Sequence, residues 1–288
     1  MNNMKFRRLF ALMLVLVFAV SMLTGCSSSK DEADSKDAAS GEKDYSIEIT
    51  DDIQAIIDRG QLIVGVKTDV PGFGYYDKET KEYSGKEIDL SYQIAAKIFD
   101  TTVDEAKSQN LVEFVQATVE NRSTLLVEDT VDLVIATFTI TDERKEMFAF
   151  SDSYYSDYIG IMVKKSKADT ESLGSDAITS ITNLDGKNVG VAQSADTRTH
   201  MLAYIDQNDY EISPRFMNFA TYPELYKALK KGEIDAFAVD TSILNGYLDD
   251  SLTILPDRFS EQKYGAAANK SDEGLVKAVN VVIEENNY

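Results

Sequence analysis

From residue 51 onward, short runs of branched apolar residues alternate with segments of helical period, and the alternation starts afresh after residues 158–163. Residues 62–66, 111–116 and 131–136 read as strands, and 87–99 and 121–127 as helices. A helix over 51–58 is expected to be capped by Asp51 or Asp52 and stopped by Gly60. In the second series, 188–192 and 234–239 read as strands, 196–205 and 222–231 as helices, with Gly232 ending the latter. Such alternation predicts an α/β layered fold. Two series joined by two chain crossings, near 159–164 and 239–242, predict two lobes that can hinge about a cleft. The first lobe is read as 51–162 plus 242–288, with strands near 252–255 and 264–268 and a helix from Asp272; the second is 163–241. Ligands of open α/β sheets sit beyond the carboxyl ends of the strands, so the cleft is the expected site.

The first fifty residues have another character. Lys5, Arg7 and Arg8 precede an uncharged apolar run from Leu9 to Val20, and Leu23-Thr-Gly-Cys26 follows. Residues 1–25 thus read as an export signal, the run being short for a membrane span. Residues 26–50 carry almost no large apolar side chain and read as a flexible tether. Cys26 is the single cysteine of the chain. It leaves no intrachain disulfide and no thiolate metal cluster to build.

The formal charge is −20, of which the three basic residues of the signal contribute +3, leaving −23 for the remainder. That balance argues against nucleic acid as a partner. One histidine, His200, and no tryptophan are present, which thins the usual catalytic devices, and no metal site or cofactor is expected.

Three constellations carry chemistry. In the first, a strand runs out into Thr137-Phe-Thr-Ile-Thr-Asp-Glu-Arg144. There Arg144 could present a two-pronged guanidinium to a carboxylate, with Thr139 adding a hydroxyl; a surface arginine paired with Asp142 or Glu146 is the alternative. In the second, a buried strand delivers Asp240 at its carboxyl end, either to receive an ammonium group or to cap the helix starting at Thr241 or Ser242. In the third, 188–197 reads as strand, tight turn and helix start, and places the N–H groups of Ala195, Asp196 and Thr197 where anions are attracted. It lacks the glycines of a nucleotide loop.

These residues, with 62–75, Tyr83-Ser-Gly-Lys-Glu-Ile-Asp-Leu90, Asn121-Arg122, Phe150-Ser-Asp-Ser-Tyr-Tyr155 and Asp235-Ala-Phe-Ala-Val-Asp240, resemble the polar amino-acid receptors of bacterial ABC importers, solute-binding family 3, over most of 56–283. The resemblance implies a two-lobed, type II periplasmic-binding-protein fold. It implies that Arg144 clamps the ligand α-carboxylate with help from Thr139 and the backbone at Thr137. Asp240 would take the α-amino group, and Phe73 would lie against the ligand. Lys67 and Arg122 match positions that reach the ligand side chain in glutamate and aspartate receptors. Leu-Thr-Gly-Cys26 resembles a lipobox, implying cleavage before Cys26, acylation there and anchorage on the outer face of a Gram-positive-type membrane.

Two departures matter. Ser194-Ala-Asp196 stands where the family often has Gly-Ser-Thr, so Asp196 either faces the pocket and opposes an acidic ligand, or caps its helix. The family usually continues past the last helix, whereas this chain ends at Glu284-Glu-Asn-Asn-Tyr288, as a truncated chain would. The expected function is capture of glutamate, glutamine or aspartate and delivery to the transmembrane subunits of a permease, by a monomer and without catalysis. The rivals are a dehydratase resembling the cyclohexadienyl dehydratases and a ligand-sensing module.

Overall fold

Leu62-Ile-Val-Gly-Val66 holds no polar side chain, and such a run belongs at the centre of a parallel sheet covered on both faces. In the computed structural model, which describes residues 43–288, it is strand β1 (Leu62–Val66), flanked in parallel by β5 (Val112–Gln116) and β6 (Leu133–Ile135). The first series comprises α1 (Asp51–Arg59), β1, β2 (Asp69–Val70), β3 (Gly74–Asp77), β4 (Glu82–Ser84), α2 (Lys86–Ile98), α3 (Val103–Ser108), β5 (Val112–Gln116), α4 (Arg122–Val127), β6 (Leu133–Ile135), α5 (Asp142–Met147) and β7 (Phe148–Lys164). There follow α6 (Lys165–Ala168), α7 (Thr170–Leu173), β8 (Asn188–Ala192), α8 (Thr197–Gln207), β9 (Arg215–Phe219), α9 (Tyr222–Lys231) and β10 (Ala236–Asp240). The chain finishes with α10 (Thr241–Tyr247), β11 (Leu252–Ile254), β12 (Phe259–Asn269) and α11 (Glu273–Glu285). The segment 1–25, Cys26 and the tether up to residue 42 lie outside the described residues. At the tether's end, Ile47 already packs on the core that holds α1 and α2.

The main sheet has the strand order β5-β1-β6-β12-β7-β10-β8-β9, with β11 paired to β7. The three strands at either end are parallel sets; between them lies one antiparallel ribbon, β12 on β7, running from Phe259 opposite Ile159 to Asn269 opposite Phe148. β7 is therefore common to both lobes. Its first part pairs only with β12, and its last part, Ile159 to Val163, pairs with β10. The tail is divided in the same way. α11 packs on α1, α2 and β7, while Leu255 and Phe259 join Ile159, Ile161, Val189 and Met201 in the second lobe's core.

Local chemistry explains the helices. Thr221 and Glu224 form a reciprocal capping box at α9, Pro223 sits in its first turn, and Gly232 ends it at φ 79°. Gly60 ends α1 at φ 78°. Asp52 does not cap α1: Thr50 holds the N-cap position, and the Asp52 carboxylate accepts from the Leu275 amide at 2.8 Å, tying α1 to α11. Gly85, which precedes α2, has φ 115°, and a Cβ there would lie 2.2 Å from the Phe73 carbonyl oxygen. Only glycine can hold that turn. Among the described residues, no helix is long and apolar enough to cross a membrane.

Candidate functional site

The β6 strand is three buried apolar residues, and the chain beyond it turns through Thr137 at φ 43° into α5. Thr141 caps that helix, its hydroxyl accepting from the Arg144 amide at 3.2 Å, and Asp142 and Glu143 fill the first turn. The cap aims the Arg144 side chain into the cleft. Its guanidinium lies 4.8 Å from the Phe138 ring centre, donates from Nη1 to the Thr139 carbonyl at 2.8 Å, and reaches the Asp196 carboxylate from Nη2 at 2.6 Å. Arg144 is thus not a surface arginine paired with Asp142 or Glu146. Thr139 lines the same cleft, with its hydroxyl donating to Gln262 Oε1 at 2.8 Å.

Asp240 ends β10, a strand buried throughout. It holds the N-cap position of α10 yet makes no side-chain cap; that task falls to Asp157, which accepts from the Ser242 amide at 2.9 Å. The Asp240 carboxylate instead accepts a short hydrogen bond from the Tyr264 hydroxyl. Burial pushes this carboxyl up to about 7, nearby Asp157 pushes the same way, and the Tyr264 hydroxyl and Arg122 oppose them. A carboxylate so costly to ionise is one that gains from a cation placed against it.

Arg122 lines the cleft but is buried and engaged. Its Nη1 donates to the Ala136 and Thr137 carbonyls, each at 3.0 Å, and its guanidinium lies 4.3 Å from the Phe138 ring centre. Burial, and then the positive charge of Arg144, lower its pKa. Lys67 is 2 % exposed, pairs with Asp69 at 3.0 Å and sits 4.9 Å from the Tyr222 ring centre. It is behind the cleft rather than on its wall, and desolvation lowers its pKa. Phe73 is also one layer back, edge-on to Tyr155 and Tyr264 at 5.0 and 5.9 Å, so it supports the ring that holds Asp240. The Thr137 amide does not point to the cleft: it donates to Glu87 Oε1 at 2.6 Å. The Thr137 hydroxyl, buried on the cleft wall, has no hydrogen-bond partner.

From the second lobe, Ala195, Asp196 and Thr197 face Arg144 across the gap. Asp196 sits at the N-cap of α8 without capping it. Of the two readings open to it from sequence, the structure shows the pocket-facing one.

Sequence reasoning missed Tyr222, Val239 and Gln262, which complete the walls, and Tyr264 and Glu87 behind them. Tyr222 carries a signal in retrospect, as an aromatic following a helix cap. Gln262 alternates with Tyr264 in β12, which a strand period would have put on inward positions. Glu87 gives no such signal. Burial pushes it up to about 7, while the Tyr154 hydroxyl and the Thr137 amide, both donating to it, pull it down.

The cleft between these groups is tight, about 20 Å³, roughly room for one water. A wider groove of about 850 Å³ passes Lys86, Gln93, Tyr155 and Tyr288, but neither Arg144 nor Asp240 borders it. Among the described residues, no cluster of His, Cys, Asp or Glu is placed to hold a metal ion.

Over 285 residues the chain is 32% identical to the ABC transporter glutamine-binding protein GlnH of Bacillus subtilis, covering 97% of this chain and 92% of that protein. An ancestral arginine-binding protein bound to glutamine superposes with a TM-score of 0.64 at 29% identity, over 80% of this chain and 92% of that one. The ancestral amino acid-binding protein AncCDT-1, a precursor of cyclohexadienyl dehydratase, gives a TM-score of 0.67 at 25% identity, over 82% and 93%. The type II two-lobed fold is therefore shown. The model of the bacterial extracellular solute-binding proteins, family 3, matches residues 62–287, and the chain belongs to that family.

Proposed function

We propose that this chain captures a polar L-amino acid between its lobes, L-glutamine first and glutamate or aspartate next, and delivers it to the transmembrane subunits of an ABC importer. The observation that carries this is that the Arg144 guanidinium and the Asp240 carboxylate line the same narrow cleft. That pair complements the carboxylate and ammonium of a zwitterion. The Thr137 and Thr139 hydroxyls and the N–H groups at the start of α8 supplement Arg144. Arg122 and Tyr222 face the ligand side chain. Arg122 has committed one nitrogen to backbone carbonyls, so what it offers suits an amide or carboxylate side chain. The glutamine-binding relative supports glutamine within the class.

We place the hinge at the β7–β12 ribbon, with about 51–158 and 261–288 in the first lobe and about 159–260, Leu255 and Phe259 included, in the second, rather than dividing the chain at 162 and 242. The protein acts as a monomer held to the outer face of the membrane by lipid on Cys26. The dehydratase rival is named by a structural neighbour, but of the two groups that reading could use as a general acid or base, Lys67 is bound to Asp69 behind the cleft and Asp196 is paired with Arg144. Capture without turnover is the simpler reading.

The test is a thermal-shift screen against the twenty amino acids, followed by calorimetry on those that raise the midpoint. Glutamine, glutamate or aspartate should shift it. Shifts only from basic or bulky apolar amino acids sink the assignment, and turnover of arogenate or prephenate replaces it with an enzyme.

A further inference from the structure

The outer edge of Arg144 is already held by a carboxylate of the protein itself. Asp196 Oδ2 lies 2.6 Å from Arg144 Nη2, and the pair crosses from α5 in the first lobe to the start of α8 in the second. Asp196 has given up its own helix cap to make this contact. A second bond bridges the lobes beside it: Gln193 Nε2 donates to Glu120 Oε2 at 2.7 Å.

From this geometry, and resting on the receptor reading above, we infer that Asp196 is a tethered stand-in for the ligand carboxylate, a latch that holds Arg144 and must be displaced before a ligand can use it. Two features fit that role. Arg144 is only 13 % exposed, anchored by the Thr139 carbonyl and Phe138, so it keeps its place. Asp196 is 46 % exposed, so it can swing into solvent at little cost. An incoming carboxylate then exchanges with a carboxylate, and the net gain at Arg144 is the difference between the two pairings rather than the whole of one. The same exchange discriminates among ligands. A molecule without a carboxylate breaks the latch and replaces it with nothing, so it is rejected even if it fills the cleft.

The latch is tested with Asp196→Asn, which keeps the shape and removes the charge, and Asp196→Ser as a second variant at this half-exposed position. Calorimetric titration with L-glutamine should give binding roughly fivefold tighter in the variants than in the unaltered chain, the scale of a partly exposed ion pair. Small-angle scattering of the same proteins without added ligand should give a larger radius of gyration for the variants. The double exchange Arg144→Asp with Asp196→Arg should return the radius of the unaltered chain. Equal or weaker glutamine binding in both variants overturns the latch, weaker binding showing that Asp196 touches the ligand directly. If no amino acid binds any of the proteins, the receptor reading falls and scattering decides the latch: an unchanged radius in both variants refutes it.

Discussion

Removing the charge of Asp240 should make the protein more stable while destroying the site. Burial lifts this carboxyl from its ordinary 3.8 to about 7, so its ionised form is disfavoured in the fold. Below 3.8 both folded and unfolded chains hold the proton, and the group costs nothing. As pH rises from 3.8 to 7 the unfolded chain ionises while the folded one does not, and the cost grows. Above 7 it is complete. About 3 pH units at 1.36 kcal/mol each set an upper bound of about 4 kcal/mol. Relaxation and water entry halve that to about 2 kcal/mol. Asp240→Asn keeps an acceptor for the Tyr264 hydroxyl, which is the bond the carboxylate now receives. In a domain of this size about 2 kcal/mol corresponds to a rise of roughly 4–8 °C in melting temperature. The assay is thermal unfolding without ligand at pH 8 and pH 4.5. The variant should gain the full shift at pH 8 and only a small part of it at pH 4.5, and glutamine should no longer raise its midpoint. A variant that melts below the parent at pH 8, or gains equally at both pH values, refutes the reasoning.

Three further outcomes are expected. An ammonium group placed against Asp240 lowers its pKa from about 7, so glutamine binding at pH 6 should release most of a proton and at pH 8 almost none. Titration calorimetry in buffers of different ionisation enthalpy reads this, and equal heats at pH 6 in all buffers would exclude Asp240 as the ammonium acceptor. Arg144→Lys should weaken glutamine binding by about a hundredfold despite keeping the charge, because the fixed fork and the Thr139 anchor are lost; calorimetry within tenfold of the parent would contradict that geometry. Gly85→Ala should destabilise the fold by about 3 kcal/mol or more, since a Cβ meets the Phe73 carbonyl at 2.2 Å and φ is 115°. Urea unfolding measures it, and a loss below 1 kcal/mol would mean the turn can rebuild.

Much of the architecture is written in local pattern. β1, residues 189–192 of β8 and 236–239 of β10 are uninterrupted apolar runs, and α9 carries both its cap and its stop, so each was readable in place. β7 was legible only from residue 158 onward. Its first half, Phe-Ala-Phe-Ser-Asp-Ser-Tyr-Tyr-Ser-Asp, shows no clean alternation, because one antiparallel partner with three register irregularities dictates which side chains turn inward. The small sheet β2–β3–β4 and the strand β9 are short or exposed and leave a weak trace. At the site, Asp240 was foreseeable as an end-of-strand charge and Arg144 as a charge on the short helix that follows a strand. The layer behind them was not. Glu87 looks like an acid placed to suit a helix start, and only the fold reveals that it is buried against Thr137 and Tyr154. Phe73 and Lys67 went the other way: both are near the cleft in the chain's path and one layer removed from it in space.

The β7–β12 ribbon fixes how this molecule can be taken apart. β12 lends Phe259 to the second lobe's core and Ala267 to the cluster of Phe138 and Val134 beside β6, and β7 supplies Ile161 to the one and Phe148 to the other. Neither lobe is therefore a transferable module. Cutting the chain at a lobe boundary would leave each piece short of a strand its interior requires, and the unpaired edge would invite aggregation. Engineering a fluorescent reporter from this scaffold calls for insertion at an exposed turn that leaves both long strands whole, such as the one at Asp250 between α10 and β11.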